Sequence, residues 1–194
     1  MKKVLVFLLI SVVSFLNANQ IVKNSGNVLV NGKKIVKNQK IKFGDFIQTK
    51  GKSKVSFNIG KSAFLANSNS KFTVKKEGSS QILNVISGGV LAVFKHGDGD
   101  HVVKTPNLTA GIRGTGVYAE VRDGKTYFCT CYGETELENT HNHYAKKLSA
   151  THHNMVWVSK NGIKEVHELM GHNDDELREL EALVGRIPDF DKKK

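Results

Sequence analysis

Hydrophobic and polar positions alternate along most of the chain after residue 25. In the segment 53–59, Val55, Phe57 and Ile59 fall on one face and Lys54, Ser56 and Asn58 on the other. That period of two is the mark of a half-buried strand. Residues 28–30 and 34–36 flank Asn31-Gly32, a pair suited to the positive φ angles of a two-residue hairpin turn. Further apolar segments follow at 63–65, 72–74, 82–86 and 90–94, with Gly60-Lys61 and Gly88-Gly89 among the separators. Residues 96–100 are polar and Gly-rich and read as an exposed loop. Asp123-Gly124 and Asn161-Gly162 predict two more hairpins, the first pairing Arg122 with Lys125 and the second Trp157 with Val166. Strands this short and this regularly spaced predict a mainly β fold of many short antiparallel strands, as a sandwich, barrel or solenoid.

The pattern changes near the C-terminus. Leu177, Leu180, Leu183 and Val184 recur at helical spacing. Asn173 can cap the helix with Glu176 as its capping-box partner, and Gly185 and Pro188 can end it. The prediction is one short amphipathic helix near 174–184. A helix of this length is marginal alone, so it is expected to dock on the β body.

The N-terminus has the layout of a secretory signal peptide. Lys2 and Lys3 precede an apolar run from Val4 to Leu16, and Asn17-Ala18 supplies a small-residue cleavage site. A run of about 13 residues is too short to span a bilayer. The expected organisation is therefore a signal peptide at 1–18, a β domain at 19–135 and an extension at 136–194 carrying a hairpin and the helix. The mature protein is expected in the periplasm, with no stable membrane span after cleavage.

Charge is unevenly divided. Residues 19–104 hold 15 Lys and Arg against 4 Asp and Glu, and residues 105–194 hold 12 against 14. An exported basic surface rarely meets nucleic acid, so none is expected as a partner. An anionic cell-envelope polymer or another envelope protein fits better. The chain contains no phosphate-binding G-x-x-x-x-G-K-[ST] loop, no G-x-G-x-x-G fingerprint, no G-x-S-x-G elbow and no H-E-x-x-H helix. No recognisable catalytic constellation emerges, and a non-enzymatic role is expected.

Residues 104–121 read Lys-Thr-Pro-Asn-Leu-Thr-Ala-Gly-Ile-Arg-Gly-Thr-Gly-Val-Tyr-Ala-Glu-Val. This resembles the central signature of the FecR domain family, in which a Thr-Pro pair is followed by a small residue, an apolar residue and Arg-Gly-Thr. Here those positions are Thr105, Pro106, Arg113, Gly114 and Thr115. Upstream, Phe43-Gly44-Asp45-Phe46-Ile47-Gln48-Thr49 resembles the family's Gly-Asp-x-Ile-x-Thr element, and residues 83–94 resemble the segment before the Thr-Pro pair. The resemblance covers about residues 25–135. It implies a FecR-like β domain with a sensing, binding or scaffolding role. Family members that regulate iron uptake carry a cytoplasmic anti-sigma segment before a membrane span. The hydrophobic segment of this chain begins at residue 4, so direct control of a sigma factor is not expected. The motif itself reads as structural. Pro106 fixes a bend, and the Arg113 guanidinium could brace loop carbonyls or a carboxylate, or bind an anion.

The most chemically suggestive segment is Tyr127-Phe128-Cys129-Thr130-Cys131-Tyr132. The Asp123-Gly124 turn sets Tyr118 opposite Cys129 and Gly116 opposite Cys131. Val117, Ala119, Val121 and Phe128 then face the core, while Cys129, Cys131, Tyr118, Glu120 and Tyr127 share the other face, with open space at Gly116. Three fates compete for the thiols. Residues two apart on a strand lie about 6.6 Å apart at Cα, so a disulfide is strained and easily reduced, as a thiol-redox role would need, unless a bulge shortens the gap. Two thiolates on one side can instead hold a soft metal such as copper or zinc. The third fate is a pair of thiols without a task. Four of the eight histidines, His141, His143, His152 and His153, lie within thirteen residues. An extended His141-Asn142-His143 points both imidazoles the same way. The metal set expected from sequence is Cys129, Cys131, His141 and His143. His172, just before the helix cap, reads as solvated, and Trp157 as a packed aromatic.

Overall fold

The computed structural model describes residues 20–36, 39–97 and 99–192. The expected signal peptide lies outside the described residues. Fourteen strands are present among them. In chain order they are β1 (Gln20–Ser25), β2 (Val28–Val30), β3 (Lys33–Lys34), β4 (Phe46–Thr49), β5 (Lys54–Ile59), β6 (Ser62–Ala66), β7 (Lys71–Glu77), β8 (Ser80–Val93), β9 (His101–Lys104), β10 (Leu108–Arg122), β11 (Lys125–Asn139), β12 (Ala145–Ala150), β13 (Asn154–Ser159) and β14 (Gly162–Val166). One helix, α1 (Asp174–Leu183), and a 3-10 turn, Asp189–Asp191, complete the chain. The mainly β expectation with a C-terminal helix therefore holds.

All fourteen strands join one hydrogen-bonded sheet, antiparallel except where β8 meets β9. The long strands change partners along their length. The first half of β8 pairs with β7 and β9, and its second half with β6 and β10. Likewise β11 pairs with β13 near its start and with β12 near its end. Such switching lets the sheet fold over, so that its inner face packs against itself. Phe57 of β5 and Phe72 of β7, on strands that are not paired, stack with centroids 6.2 Å apart. Phe64 joins Phe57 at 5.3 Å. Val117, Ala119 and Phe128 lie in this main core with Val121 packed against it, as the alternation predicts.

Asn31 and Gly32 take φ of 52° and 78°, and Asp123 and Gly124 take 49° and 70°. Both are the left-handed pairs a tight hairpin turn requires. Arg122 accordingly faces Lys125, and Tyr118 faces Cys129. Two register expectations differ from the structure. The third hairpin closes over Lys160-Asn161, pairing Ser159 with Gly162, so Trp157 faces Lys164 and Val166 faces Met155. The second difference is a β-bulge. Val117 faces Thr130 but Gly116 faces Tyr132, which leaves Cys131 as the extra residue on β11. The space beside Gly116 is filled: a Cβ there would press on the Tyr132 ring and Leu177.

A second apolar cluster lies on the outer face. It joins Leu65, Leu91, Tyr118, Tyr127, Cys129 and Cys131 of the sheet to Leu177 and Leu180 of α1. The helix docks as expected. Its cap is the predicted box, with Asn173 accepting from Glu176 N–H and the Glu176 carboxylate accepting from Asn173 N–H. Glu176 also pairs with Lys54, and the buried Glu181 accepts from the Tyr132 hydroxyl and from Arg186. The face opposite the main core is thus a covered layer, and both thiols are fully buried in it. No helix among the described residues is long and apolar enough to cross a membrane.

Candidate metal centre

The strand β11 carries both thiols, and the bulge at Cys131 keeps Cys129, Cys131 and Tyr132 in the same outer cluster. The turn between β12 and β13 brings up the first imidazole. His153 N–H donates to Cys131 O at 2.8 Å, tying the turn to the bulged strand. His153 takes φ of 52°, in the left-handed region. Its Nδ1 lies 3.4 Å from Cys129 Sγ. Its Nε2 donates to Asp174 Oδ1 at 2.9 Å.

The second imidazole comes from the strap, residues 167–173, that leads from β14 to α1. His172 is buried, with Nε2 3.3 Å from Cys131 Sγ. Its Nδ1 donates to Met170 O at 2.9 Å. Its ring stacks on Tyr118 at 4.6 Å. One donor atom from each of Cys129, Cys131, His153 and His172 falls within 4.8 Å of all the others.

The hydrogen bonds fix the tautomers of the neutral rings, the form that binds metal. With Nδ1–H of His172 committed to a carbonyl, its Nε2 presents a lone pair to the thiols. With Nε2–H of His153 committed to a carboxylate, its Nδ1 does the same. This is the orienting shell that metal-binding histidines receive: the far nitrogen donates to a carbonyl or carboxylate, and the near one is free to ligate. Asp174 also accepts from His152 Nε2 at 3.0 Å.

The electrostatics set the two thiols apart. Burial opposes ionisation of Cys129, but the neighbouring Cys131, His153 and His172 outweigh it and hold that thiol well below its usual range. Its proton passes to His153, which the Cys129 thiolate and Asp174 raise against the effect of its own burial, and a metal ion must displace that proton to reach the His153 lone pair. Burial and the adjacent Cys129 thiolate push Cys131 well above it. The pocket therefore favours one negative sulfur and resists the second unless a cation is supplied. Above the site, burial and the Glu120 carboxylate raise the Tyr118 hydroxyl, which stays protonated and donates to Glu120 at 2.9 Å.

Two histidines expected at the thiols lie elsewhere. His141 Nε2 meets Asn107 Oδ1 at 3.0 Å, and His143 Nδ1 meets Glu138 Oε1 at 2.8 Å on the surface. Both sit at the β11–β12 hairpin tip, because the end of β11 carries the chain away from the thiols and β12 brings it back before His153. His172, expected to be solvated, is a buried neighbour of Cys131. The clue available in sequence was that an amphipathic helix must cover an apolar face. The strand face that carries the thiols, Tyr118 and Tyr127 is such a face, and His172 leads straight into that helix.

The Thr-Pro segment is a corner joint. Thr105 Oγ1 meets Thr126 Oγ1 at 2.8 Å, Asn107 Nδ2 donates to Gly124 O at 3.1 Å, and Pro106 O accepts from Thr140 Oγ1 at 2.7 Å. Gly114 has φ of 60° and lies against His96, leaving no room for a Cβ. Thr115 is fully buried. Arg113 is exposed on β10, opposite Glu134.

Two crystal structures share this architecture. Both are of a protein described as a putative anti-sigma factor from Parabacteroides distasonis ATCC 8503. They match with TM-scores of 0.55 and 0.54 at 13% identity, over 63% of this chain. The fold is shared with them. This chain covers 59% of the length of each. No family model and no curated protein matches.

Proposed function

We propose that the chain is a non-enzymatic envelope module of FecR type that binds a soft, tetrahedral cation through Cys129, Cys131, His153 and His172. The observation that carries this reading is the convergence of four donor atoms within 4.8 Å, each imidazole turned to the thiols by a second hydrogen bond. An ion bound at about 2.3 Å to sulfur and about 2.0–2.1 Å to nitrogen spaces adjacent S and N donors roughly 3.5 Å apart. Two of the four S–N pairs, Cys129–His153 and Cys131–His172, stand at 3.4 and 3.3 Å, and the other two lie within 4.8 Å.

Charge selects among soft ions. Two thiolates and two neutral imidazoles carry two negative charges, which zinc(II) cancels and copper(I) does not. A buried site favours the neutral assembly. With four protein donors and little solvent access, the centre resembles a closed structural site rather than an open catalytic one. The FecR-like motif and the shared fold support a sensing or scaffolding role, and the N-terminal pattern supports action in the periplasm.

The test is metal analysis and a thiol count on the exported protein. About one zinc per chain, lost in the Cys129→Ser, Cys131→Ser double variant, is the expected result. Copper at the same stoichiometry would keep the site and change the ion. A metal-free protein with no titratable thiol would replace the metal reading by a Cys129–Cys131 disulfide, a bond the bulge at Cys131 brings into consideration.

A further inference from the structure

Three of the four donors belong to the sheet and its turns, while the fourth belongs to the strap. Cys129 and Cys131 lie on β11, and His153 is bonded to that strand through its backbone. His172 is separated from Cys131 by 41 positions. The strap reaches the sheet through side chains. The Tyr127 hydroxyl donates to Glu168 O at 3.0 Å and accepts from Met170 N–H at 3.3 Å, and Asn67 donates to Gly171 O.

We propose that the bound cation acts as a clamp: by joining His172 to the sheet-borne ligands it holds the strap and α1 over the outer face, so that metal occupancy sets whether that face is covered. The proposal rests on the metal-centre reading and adds regulation to it. Its physical basis is linkage. An ion that needs His172 in place binds the docked form better than the undocked one, and so stabilises docking by its differential affinity. Asp174 tightens the link, because the carboxylate that orients His153 is the first residue of α1. Undocking therefore removes one ligand and the orienting partner of another. It would uncover Leu65, Leu91, Tyr118 and Tyr127, an apolar patch of the kind that marks interaction surfaces.

Native-state hydrogen exchange on the full mature chain tests this, comparing zinc-loaded protein with the same sample after chelation. Metal content is measured in parallel. Amides of residues 170–183 are expected to exchange roughly tenfold or more faster after chelation, while those of β5, β6 and β8 keep their rates. In His172→Ala, the same segment is expected to exchange fast even with zinc present. If one zinc is bound and its removal leaves residues 170–183 unchanged, the clamp is wrong and the metal centre stands. If chelation accelerates the whole chain alike, the ion stabilises the fold globally and the clamp is again wrong. If no soft metal binds, both fail together. His172→Ala that stays as protected as wild type with zinc bound also overturns the clamp.

Discussion

His172 Nε2 stands 3.3 Å from Cys131 Sγ, across 41 residues of chain. The contact depends on two separate devices. A bulge makes Cys131 the extra residue of β11. The strap then crosses the outer face and delivers His172 just before the helix cap Asn173. Stacking on Tyr118 and the bond to Met170 O fix the ring on both of its other sides.

His172→Ala is therefore expected to lower metal affinity sharply, and His153→Ala to do the same. His141→Ala and His143→Ala should leave it unchanged, since their rings are engaged by Asn107 and Glu138. Competition with a chromogenic chelator measures all four. Equal loss in the His141 variant would move the site.

Asp174→Asn tests the orienting shell. The amide can present its NH2 to His153 and favour the wrong tautomer, so affinity should fall about 10–100-fold, the usual effect of losing an outer-shell partner. Far-ultraviolet dichroism should stay close to wild type, because Asn173 and Glu176 still cap the helix.

Much of this was legible in the chain. Asp123-Gly124 sets the Tyr118–Cys129 register, and period-two alternation separates Val117, Ala119 and Phe128 from the thiols. Asn173 and Glu176 announce the helix. The bulge was not legible, because an extra residue such as Cys131 carries no local mark when no glycine forms it. Nearness in sequence to the thiols favours His141 and His143. Strand pairing decided otherwise: β12 runs back along the end of β11, and only its return turn reaches Cys131. His172 depends on the path of the strap, which the sequence marks only indirectly, through the amphipathic helix that follows it and needs an apolar face to cover.

The apolar N-terminal run predicts export with removal of residues 1–18. Intact-mass measurement on protein recovered from the periplasm should begin the chain at Asn19. A mass that includes Met1 would reject the cleavage.

The surplus of Lys over acids in residues 19–104 predicts weak attraction to anionic surfaces. Sedimentation with anionic vesicles should show binding at low ionic strength. It should be largely lost near 1 M salt, where the screening length is about 3 Å. Binding that ignores salt would assign the attraction to apolar contact instead.

Gly171→Ala probes the strap without touching a metal ligand. Gly171 has φ of 74°, and a Cβ there would overlap the Tyr118 hydroxyl. An L-residue in this region costs about 1–2 kcal/mol for the backbone alone. The overlap adds to that, because Tyr118 is held by Glu120 and Asn67 and stacked on His172. The variant should thus lose stability and also bind metal more weakly, since displacing Tyr118 displaces the His172 ring. Tyr118→Ala in the same chain separates the two causes. The double variant relieves the overlap but keeps the backbone strain, so the two losses should be less than additive. Fully additive losses in thermal melts would show that the ring and the strap do not communicate.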